Sequence, residues 1–296
     1  MKWSVIVTVH EYRPVLKDCL RSIHTQYPDN DMEVVVCDQS GAYDCKRAAR
    51  DFRYVQHQRA GLAQAWNAAV AEAKVTDDPH HWVHLIHDDD WVMPGFYKAL
   101  TSNLIPGASG HNNNYIASTG FKNVRDGKVT LQSEERSGIV PNWRELIAVG
   151  NSLQVAAVVF RKNLFDELGG FRERGWCTDW DLWARMAMVA QWWHEPMRLA
   201  RYREHPESAQ EKMKVGDKVR SYCSVFRDNV ERLPRQWGPL IEASVNLHTN
   251  RFMAAAVNVA LGGNCLEAPE VFDEVVGMAA DALRWQGTGQ GVSVAP

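Results

Sequence analysis

Apolar positions along the first third of the chain alternate between two rhythms. Trp3–Val9 is rich in β-branched residues and predicts a strand. Pro14 then opens a helix in which Val15, Leu16, Cys19, Leu20 and Ile23 recur on one face. Met32–Cys37 is a second apolar run, closed by the turn-formers Asp38-Gln39-Ser40-Gly41. A short strand near Arg53–His57 precedes an alanine-rich helix over Gly61–Lys74, and Trp82–Ile86 reads as a buried strand ending in His87-Asp88-Asp89-Asp90. Strands separated by helices of roughly 10–15 residues predict βαβ units, hence an α/β fold with a parallel sheet covered on both faces. Ligands of such sheets sit beyond the carboxyl ends of the strands. Asp38 and Asp88–Asp90 fall at that edge.

The second half is less regular. Tyr115–Val124 and Lys128–Gln132 predict a hairpin about Asp126-Gly127, and Leu153–Phe160 predicts a strand. Asp179–Gln191 reads as a helix with Leu182, Met186 and Val189 on one stripe. From about Ser221 the pattern is helical over Tyr222–Arg232, Pro239–Leu261 and Pro269–Trp285, and Gln286–Pro296 is a Gly/Ser-rich end expected to fray. The amphipathic stripes of these last helices fit three roles equally: covering the sheet, forming a homo-oligomer, or shaping an acceptor site.

Composition narrows the class. The chain has 296 residues, 45% hydrophobic and 23% charged, which is ordinary for a globule. A fold of this length buries roughly 75% of its unfolded surface and needs no disulfide or metal to hold together. The formal charge of −3 argues against a nucleic-acid binder, which carries a basic excess. Six cysteines are scattered without a Cys-x-x-Cys pair, as expected of reduced thiols in a cytosolic protein. The N-terminus lacks a signal-peptide pattern, and the apolar run Val155–Phe160 is far short of the ~20 residues that cross a bilayer. The expectation is a soluble, cytoplasmic protein with no transmembrane segment, with peripheral docking on a membrane left open.

Asp88-Asp89-Asp90 is the sharpest chemical signal. Adjacent carboxylates repel one another unless a cation or strong donors compensate, and carboxylate oxygens suit Mg²⁺ or Mn²⁺. The alternative is a solvated acidic turn. His80, His81, His84 and His87 stand nearby, but along a strand His81 and His87 face away from His84, so the run cannot converge on one zinc. Asp38 is either a turn-forming residue or an acceptor for a base or ribose hydrogen bond. Arg59-Ala60-Gly61-Leu62 opens a helix whose N-terminus would favour a phosphate. Thr178 or Asp179 would cap the next helix. Trp176, Trp180, Trp183, Trp192 and Trp193 are core for the most part, with a sugar-stacking platform as the alternative. Arg201–Ser208 gathers cations at a strand end, suited to a diphosphate or simply solvated.

The ordered set resembles family 2 glycosyltransferases of the GT-A fold, from Trp3 to about Ser208. Val5-Ile-Val-Thr-Val-His-Glu-Tyr looks like the family's opening strand and loop. Val34-Val-Val-Cys-Asp38-Gln-Ser is similar to its nucleotide-binding strand, and Gly61-Leu-Ala-Gln-Ala-Trp-Asn67 to its Gly-Leu…Arg-Asn helix. Leu85-Ile-His-Asp-Asp89-Asp-Trp-Val-Met-Pro94 resembles the metal motif. Gly169-Gly-Phe171 and Thr178-Asp179-Trp-Asp-Leu-Trp183 resemble the acceptor motif, and His205 a late histidine that serves metal or diphosphate. Two positions depart within those motifs: His87 stands where the metal motif often opens with Asp, and Thr178 where the acceptor motif has Glu. Trp66 also replaces a common arginine.

The resemblance implies a GT-A domain over 1–210, with a nucleotide-sugar half to about 95 and an acceptor half beyond it, then a helical extension over 211–286 and a tail over 287–296. It implies a nucleoside-diphosphate sugar donor and a glycan, lipid-linked, protein or small-molecule acceptor. Thr8, His10, Glu11, Asp38, Arg59, Gly61, Asn67 and Asp88 would bind the nucleotide sugar. Asp89, Asp90 and His205 would hold Mn²⁺ or Mg²⁺, Arg201 and Arg203 the diphosphate. Asp179 would be the base of a hexosyl transfer that inverts the anomeric centre in one displacement. Two other readings remain: a non-catalytic sugar- or nucleotide-binding protein of the same fold, and a metal-dependent nucleotidyltransferase or phosphohydrolase.

Overall fold

A computed structural model of the chain describes residues 2–26, 32–74, 81–103, 115–133, 138–140, 142–233, 235–261 and 274–277. The connection over 104–114 and most of the expected Pro269–Trp285 helix lie outside that set; residues 274–277 of the latter are helical. The chain divides into two compact units. The first is built from Met1–Pro141, Ser152–Glu173 and Arg185–His205, the second from Asn142–Asn151, Arg174–Ala184 and Pro206–Pro296. The division therefore runs through the middle of the chain, taking two stretches of the expected acceptor half into the unit that holds the C-terminal helices.

The first unit is organised by one sheet. Strands β1 (Lys2–Val9), β2 (Met32–Asp38), β3 (Arg53–Gln56) and β4 (His81–His87) run parallel in the order β3-β2-β1-β4. Val5, Val7, Val34, Val36 and Ile86 face helix α1 (Leu16–His24), which buries Leu16, Cys19, Leu20 and Ile23 among them. On the opposite face lie Ile6, Val35 and Leu85, where helix α3 (Leu62–Ala71) contacts β1 and buries Ala63, Trp66, Ala69 and Val70. Burial on both faces is why these strands read as continuous apolar runs. Between β2 and β3, α2 (Tyr43–Ala48) is short and buries Cys45.

Beyond β4 the sheet is mixed rather than parallel. It continues through β9 (Val158–Arg161), β6 (Tyr115–Arg125), β10 (Gln191–Arg203) and β5 (Trp91–Val92), with β7 (Lys128–Gln132) on β6 and β8 (Gly138–Ile139) on β10. The β6–β7 hairpin forms where expected, because Asp126 and Gly127 take φ of 49° and 75° at its turn. The expected strand over Leu153–Phe160 is shorter. Val155–Ala157 forms a 3₁₀ turn instead, and the Ala156 carbonyl meets His84 rather than a strand partner. The expected helix over Asp179–Gln191 stops at Ala187 (α7, Thr178–Ala187), which leaves Val189 outside the helical stripe and 54% exposed. Trp192 and Trp193 belong to β10, whose pairing with β6 decides their conformation. Two further helices, α4 (Phe96–Asn103) and α6 (Lys162–Glu167), complete this unit.

The second unit is helical among its described residues: α5 (Trp143–Val149), the opening of α7, α8 (Ala209–Lys212), α9 (Val215–Val230) and α10 (Gly238–Leu261). Helix α9 begins seven residues before the expected Tyr222. Trp180 meets Tyr222 at a ring-centroid distance of 4.7 Å with the planes tilted by 32°, and Tyr222 also meets Phe252 at 5.1 Å. The last carbonyl of α5, on Val149, has no partner within its own helix. It accepts from the Tyr222 hydroxyl at 3.0 Å and from Ser244 Oγ at 2.7 Å, tying three helices at one atom. Trp180 and Trp183 are fully buried and Trp192 nearly so, which makes them core. Among the described residues Cys19, Cys37, Cys45 and Cys177 are free and buried, Cys223 is buried, and no helix is long and apolar enough to cross a membrane.

Candidate active site

The carboxyl edge of the parallel strands gathers the charged groups. Strand β4 ends at His87, and the Asp88 amide donates to the Thr8 carbonyl of β1 at 3.1 Å. Asp88, Asp89 and Asp90 are all buried. Pairing of Trp91 in β5 with Arg201 in β10 draws the end of β10 onto this turn. There the Arg203 amide donates to Asp90 Oδ1 and its Nε to the Asp89 carbonyl, both at 2.9 Å, while its guanidinium lies 4.6 Å over the Trp91 ring. Two residues on, His205 Nε2 stands 2.9 Å from Asp89 Oδ2. From the loop after β1, Arg13 Nη2 reaches Asp89 Oδ2 at 3.1 Å and Asp88 Oδ1 at 3.4 Å, and Nη1 lies 2.6 Å from His205 Nε2.

These carboxylates are electrostatically uneven. Burial and the charge of Asp89 push Asp88 up to about 7, against the pull of Arg13. Burial, then Asp89, holds Asp90 well above the usual carboxylate range. For Asp89 burial acts in the same direction, but His87, the His205 hydrogen bond and Arg13 outweigh it and hold the group below that range. Burial lowers His87, against the charge of Asp89. One proton-bearing or cation-bearing state must compensate so many acids in so little space.

The donor set fits a divalent cation. His87, Asp89 and Asp90 each offer a ligand atom, all within 4.8 Å of one another. Asp88 Oδ2, Asp90 Oδ2 and His87 Nε2 are buried with no hydrogen-bond partner among the described residues. Buried oxygens without donors cost free energy unless something else occupies them. Carboxylate oxygens with one imidazole suit Mn²⁺ or Mg²⁺. Sequence reasoning places His205 as the third ligand; the compact group contains His87, and His205 Nε2 stands 2.9 Å from Asp89 Oδ2. His80 lies outside the described residues, and His81 and His84 do not join the group. His81 Nε2 lies 2.7 Å from Ser4 Oγ, and His84 bridges the Tyr97 hydroxyl and the Ala156 carbonyl.

Several residues expected on the nucleotide are engaged by the protein. Asp38 is wholly buried; its Oδ1 accepts from the Ser40 amide and hydroxyl at 2.7 and 2.6 Å, and its Oδ2 from the Tyr54 hydroxyl at 2.7 Å. That is its turn-forming role. The open cleft beside it, of ≈ 500 Å³, is lined instead by Gln39, Ser40, Gly41, Gln56, His57, Gln58 and Arg59. Asn67 clasps the Phe171 backbone, accepting from its amide at 2.8 Å and donating to its carbonyl at 2.9 Å. The N-terminus of α3, expected to suit a phosphate at Gly61, already receives the Glu173 carboxylate, which accepts from the Ala63 amide at 3.2 Å. Arg201 donates through Nη1 to the Arg198 and Ala200 carbonyls, and Arg203 is committed to the Asp89–Asp90 turn. Thr8 sits in the ladder, while His10, Glu11 and Arg59 are exposed. Arg13 is missed by the sequence reading. Its one signal is its place just past the end of β1, at the edge where Asp38 and Asp88 lie.

Asp179 stands in the second unit, on the first turn of α7, with intermediate exposure. Its Oδ1 accepts from the Trp180 amide at 2.7 Å and its Oδ2 from Asn151 Nδ2 at 3.1 Å. Burial nevertheless pushes its pKa up to about 6, against those hydrogen bonds. Thr178, where the resemblance has Glu, accepts from the Arg174 amide at 3.1 Å and donates to the Gly175 carbonyl at 2.9 Å, so it closes the turn before the helix.

Comparison with known proteins agrees with this architecture. No curated protein matches the sequence. Among solved structures the chain is similar to S. aureus TarS, residues 1–349, at 15% identity and a TM-score of 0.58, covering 94% of this chain and 92% of that one. It is also similar to the mannosyltransferase PcManGT of Pyrobaculum calidifontis, solved with GDP-Man and Mn²⁺, at 16% identity and a TM-score of 0.57, covering 98% and 76%. At such identities the likeness speaks for the fold. Residues 4–126, which carry β1 to β4 and the Asp88–Asp90 turn, match the model of glycosyl transferase family 2. On that match, residues 4–126 are similar to glycosyl transferase family 2, and the fold is the GT-A architecture of those solved structures.

Proposed function

We propose that the protein transfers a hexose from a nucleoside-diphosphate sugar to an acceptor hydroxyl, in one displacement that inverts the anomeric centre. The observation that carries this reading is the trio His87, Asp89 and Asp90, whose ligand atoms lie within 4.8 Å at the carboxyl edge of a nucleotide-type sheet. The GDP-Man and Mn²⁺ in the P. calidifontis mannosyltransferase support the same donor class and a divalent cation. Bound there, the cation supplies Lewis-acid stabilisation of the charge that develops on the departing diphosphate.

The chain's own residues do the rest. Arg203 and the Asp90 carboxylate fix the turn that presents Asp89, so the ligands are held before the donor arrives. The cleft beside Ser40, lined by Gln39, Gln56 and Gln58, offers amides to a base. An acceptor hydroxyl is a weak nucleophile near neutral pH, and a placed carboxylate that takes its proton contributes roughly 10²–10⁴-fold. Asp179 fills that role: its pKa near 6 leaves it ionised at neutral pH yet basic enough to accept a proton. Buried free thiols support a reducing, cytoplasmic setting.

The test is a donor panel of uridine, guanosine and thymidine diphosphate sugars, with and without Mn²⁺, read by release of the nucleoside diphosphate. Mn²⁺-dependent release with one base is the expected result. Release of pyrophosphate or phosphate would identify a nucleotidyltransferase or phosphohydrolase instead, and tight donor binding with no turnover on any acceptor would identify a binding protein.

A further inference from the structure

We infer that Arg13 is the counter-ion of the metal-free carboxylate turn, and that a divalent cation displaces its guanidinium onto the diphosphate of the donor. The inference rests on the metal-assisted reading above. The Arg13 guanidinium bonds to carboxylate oxygens of the Asp88–Asp90 turn, at 3.1 and 3.4 Å. Its contact with His205 is close as well. His205 Nε2 lies 2.6 Å from Arg13 Nη1 and 2.9 Å from Asp89 Oδ2. Arg13 Nη1 also lies 3.5 Å from His205 Nδ1, so the guanidinium sits beside the imidazole and crowds the ring and Asp89 Oδ2 at one point.

A cation relieves that crowding. It lets a neutral Nε2 and Asp89 Oδ2 aim lone pairs at the same point, and it supplies two charges to three buried acids. It also cannot share that point with a guanidinium, since like charges a few ångströms apart repel strongly in a partly buried site. Arg13 has somewhere to go. Its side chain is 26% exposed, it stands in the loop between β1 and α1, and its Nε is buried without a partner among the described residues. A guanidinium offers planar paired donors that match phosphate oxygens. The same side chain therefore stands in for the metal before the donor binds and grips the donor afterwards.

The test is titration with Mn²⁺ alone, followed by UDP and GDP at saturating Mn²⁺, on the wild type, Arg13→Met and Arg13→Lys. Arg13→Met is expected to bind Mn²⁺ about tenfold more tightly, the size of one lost competing ion pair. It is expected to bind the preferred nucleotide about tenfold more weakly once Mn²⁺ is saturating. Arg13→Lys keeps the charge without the fork, so it should hold Mn²⁺ affinity near the wild type yet still weaken the nucleotide; it decides the matter if the Met variant does not fold by circular dichroism. Equal or weaker Mn²⁺ binding by Arg13→Met overturns the displacement, and unchanged nucleotide affinity in both variants overturns the transfer to the diphosphate. Mn²⁺ binding by the wild type that the variants leave unchanged removes this inference alone. Absence of Mn²⁺ binding from every protein, with or without nucleotide, removes the metal reading as well.

Discussion

The indole of Trp66 lies 5.2 Å from the imidazole of His87, their planes inclined at 31°. These are two of the places where the chain leaves the family pattern, Trp66 for arginine and His87 for aspartate, and they touch. Trp66 also meets Phe171 edge-on at 4.9 Å and is 5% exposed. Burial lowers the His87 pKa, and the contact joins two aromatic rings where the residues of the resembled pattern would set a cation against an anion.

The two substitutions should therefore be coupled. Trp66→Arg places a cation among buried rings and is expected to cost about 3 kcal/mol. Adding His87→Asp gives that cation a partner and should recover more than about 1 kcal/mol of the loss. Urea denaturation of the wild type, both single variants and the double variant measures the cycle. A double variant whose loss is simply the sum of the two would show that the positions are independent.

A second pair of motifs is bound together through Asn67. Its side chain makes two hydrogen bonds to the Phe171 backbone, and Gly170, at φ 70°, would place a Cβ 2.5 Å from Asn67 Oδ1. Asn67→Ala is expected to lose about 2 kcal/mol in urea denaturation, for two buried backbone partners left unpaired. Gly170→Ala should lose at least as much, since it combines a left-handed backbone with a steric clash. At a temperature where Asn67→Ala is still folded, UDP and GDP affinity should match the wild type. A selective loss of nucleotide binding there would place Asn67 on the donor.

What could be read from sequence follows the range of the forces involved. The runs Trp3–Val9, Met32–Cys37 and Trp82–Ile86 are strands buried on both faces, and local pattern alone reveals them. The Asp126-Gly127 turn is equally local. Strand β10 is not: Trp192 and Trp193 suit a helix or a strand, and thirteen residues become a strand because β6, β8 and β5 pair with them. The site divides in the same way. Asp89 and Asp90 announce themselves by adjacency. Arg13 is silent because its partners lie 75 and 192 residues away, and Glu173 at the start of α3 is silent for the same reason, 110 residues from Ala63. Asp38 is ambiguous in sequence because a carboxylate closing a turn and one awaiting a nucleotide look alike; the structure adds only its partners Ser40 and Tyr54.

Asp89 should carry the metal dependence. Its Oδ2 meets both Arg13 and His205, and it belongs to the trio within 4.8 Å. Asp89→Ala is expected to make donor binding independent of Mn²⁺, with the residual affinity equal to that of the wild type in chelator. Calorimetric titration of the donor with and without Mn²⁺ gives both numbers. If the Mn²⁺ response of the variant equals that of the wild type, the cation is held elsewhere.

The pH dependence follows from Asp179. Its pKa is raised from 3.8 to about 6 because burial penalises the ionised form, in spite of the Trp180 amide and Asn151. A base must be ionised to accept a proton, so the rate with saturating donor should climb as pH rises through about 6 and level off above it. Asp179→Asn preserves the shape of the group and its Asn151 neighbour but removes the basic oxygen; transfer should fall by roughly 10²–10⁴-fold while donor affinity stays the same. Stability provides an independent check of the same shift. Because the folded state holds its proton to a higher pH than the unfolded one, the favourable contribution of Asp179 is present below pH 3.8 and is lost as pH rises through about 6. The neutral Asp179→Asn variant lacks that loss, so its stability relative to the wild type should improve as pH rises from 3.8 through about 6. A flat stability difference would mean the carboxyl is not perturbed, and a parallel fall in donor affinity would mean that Asp179 holds the donor rather than activating the acceptor.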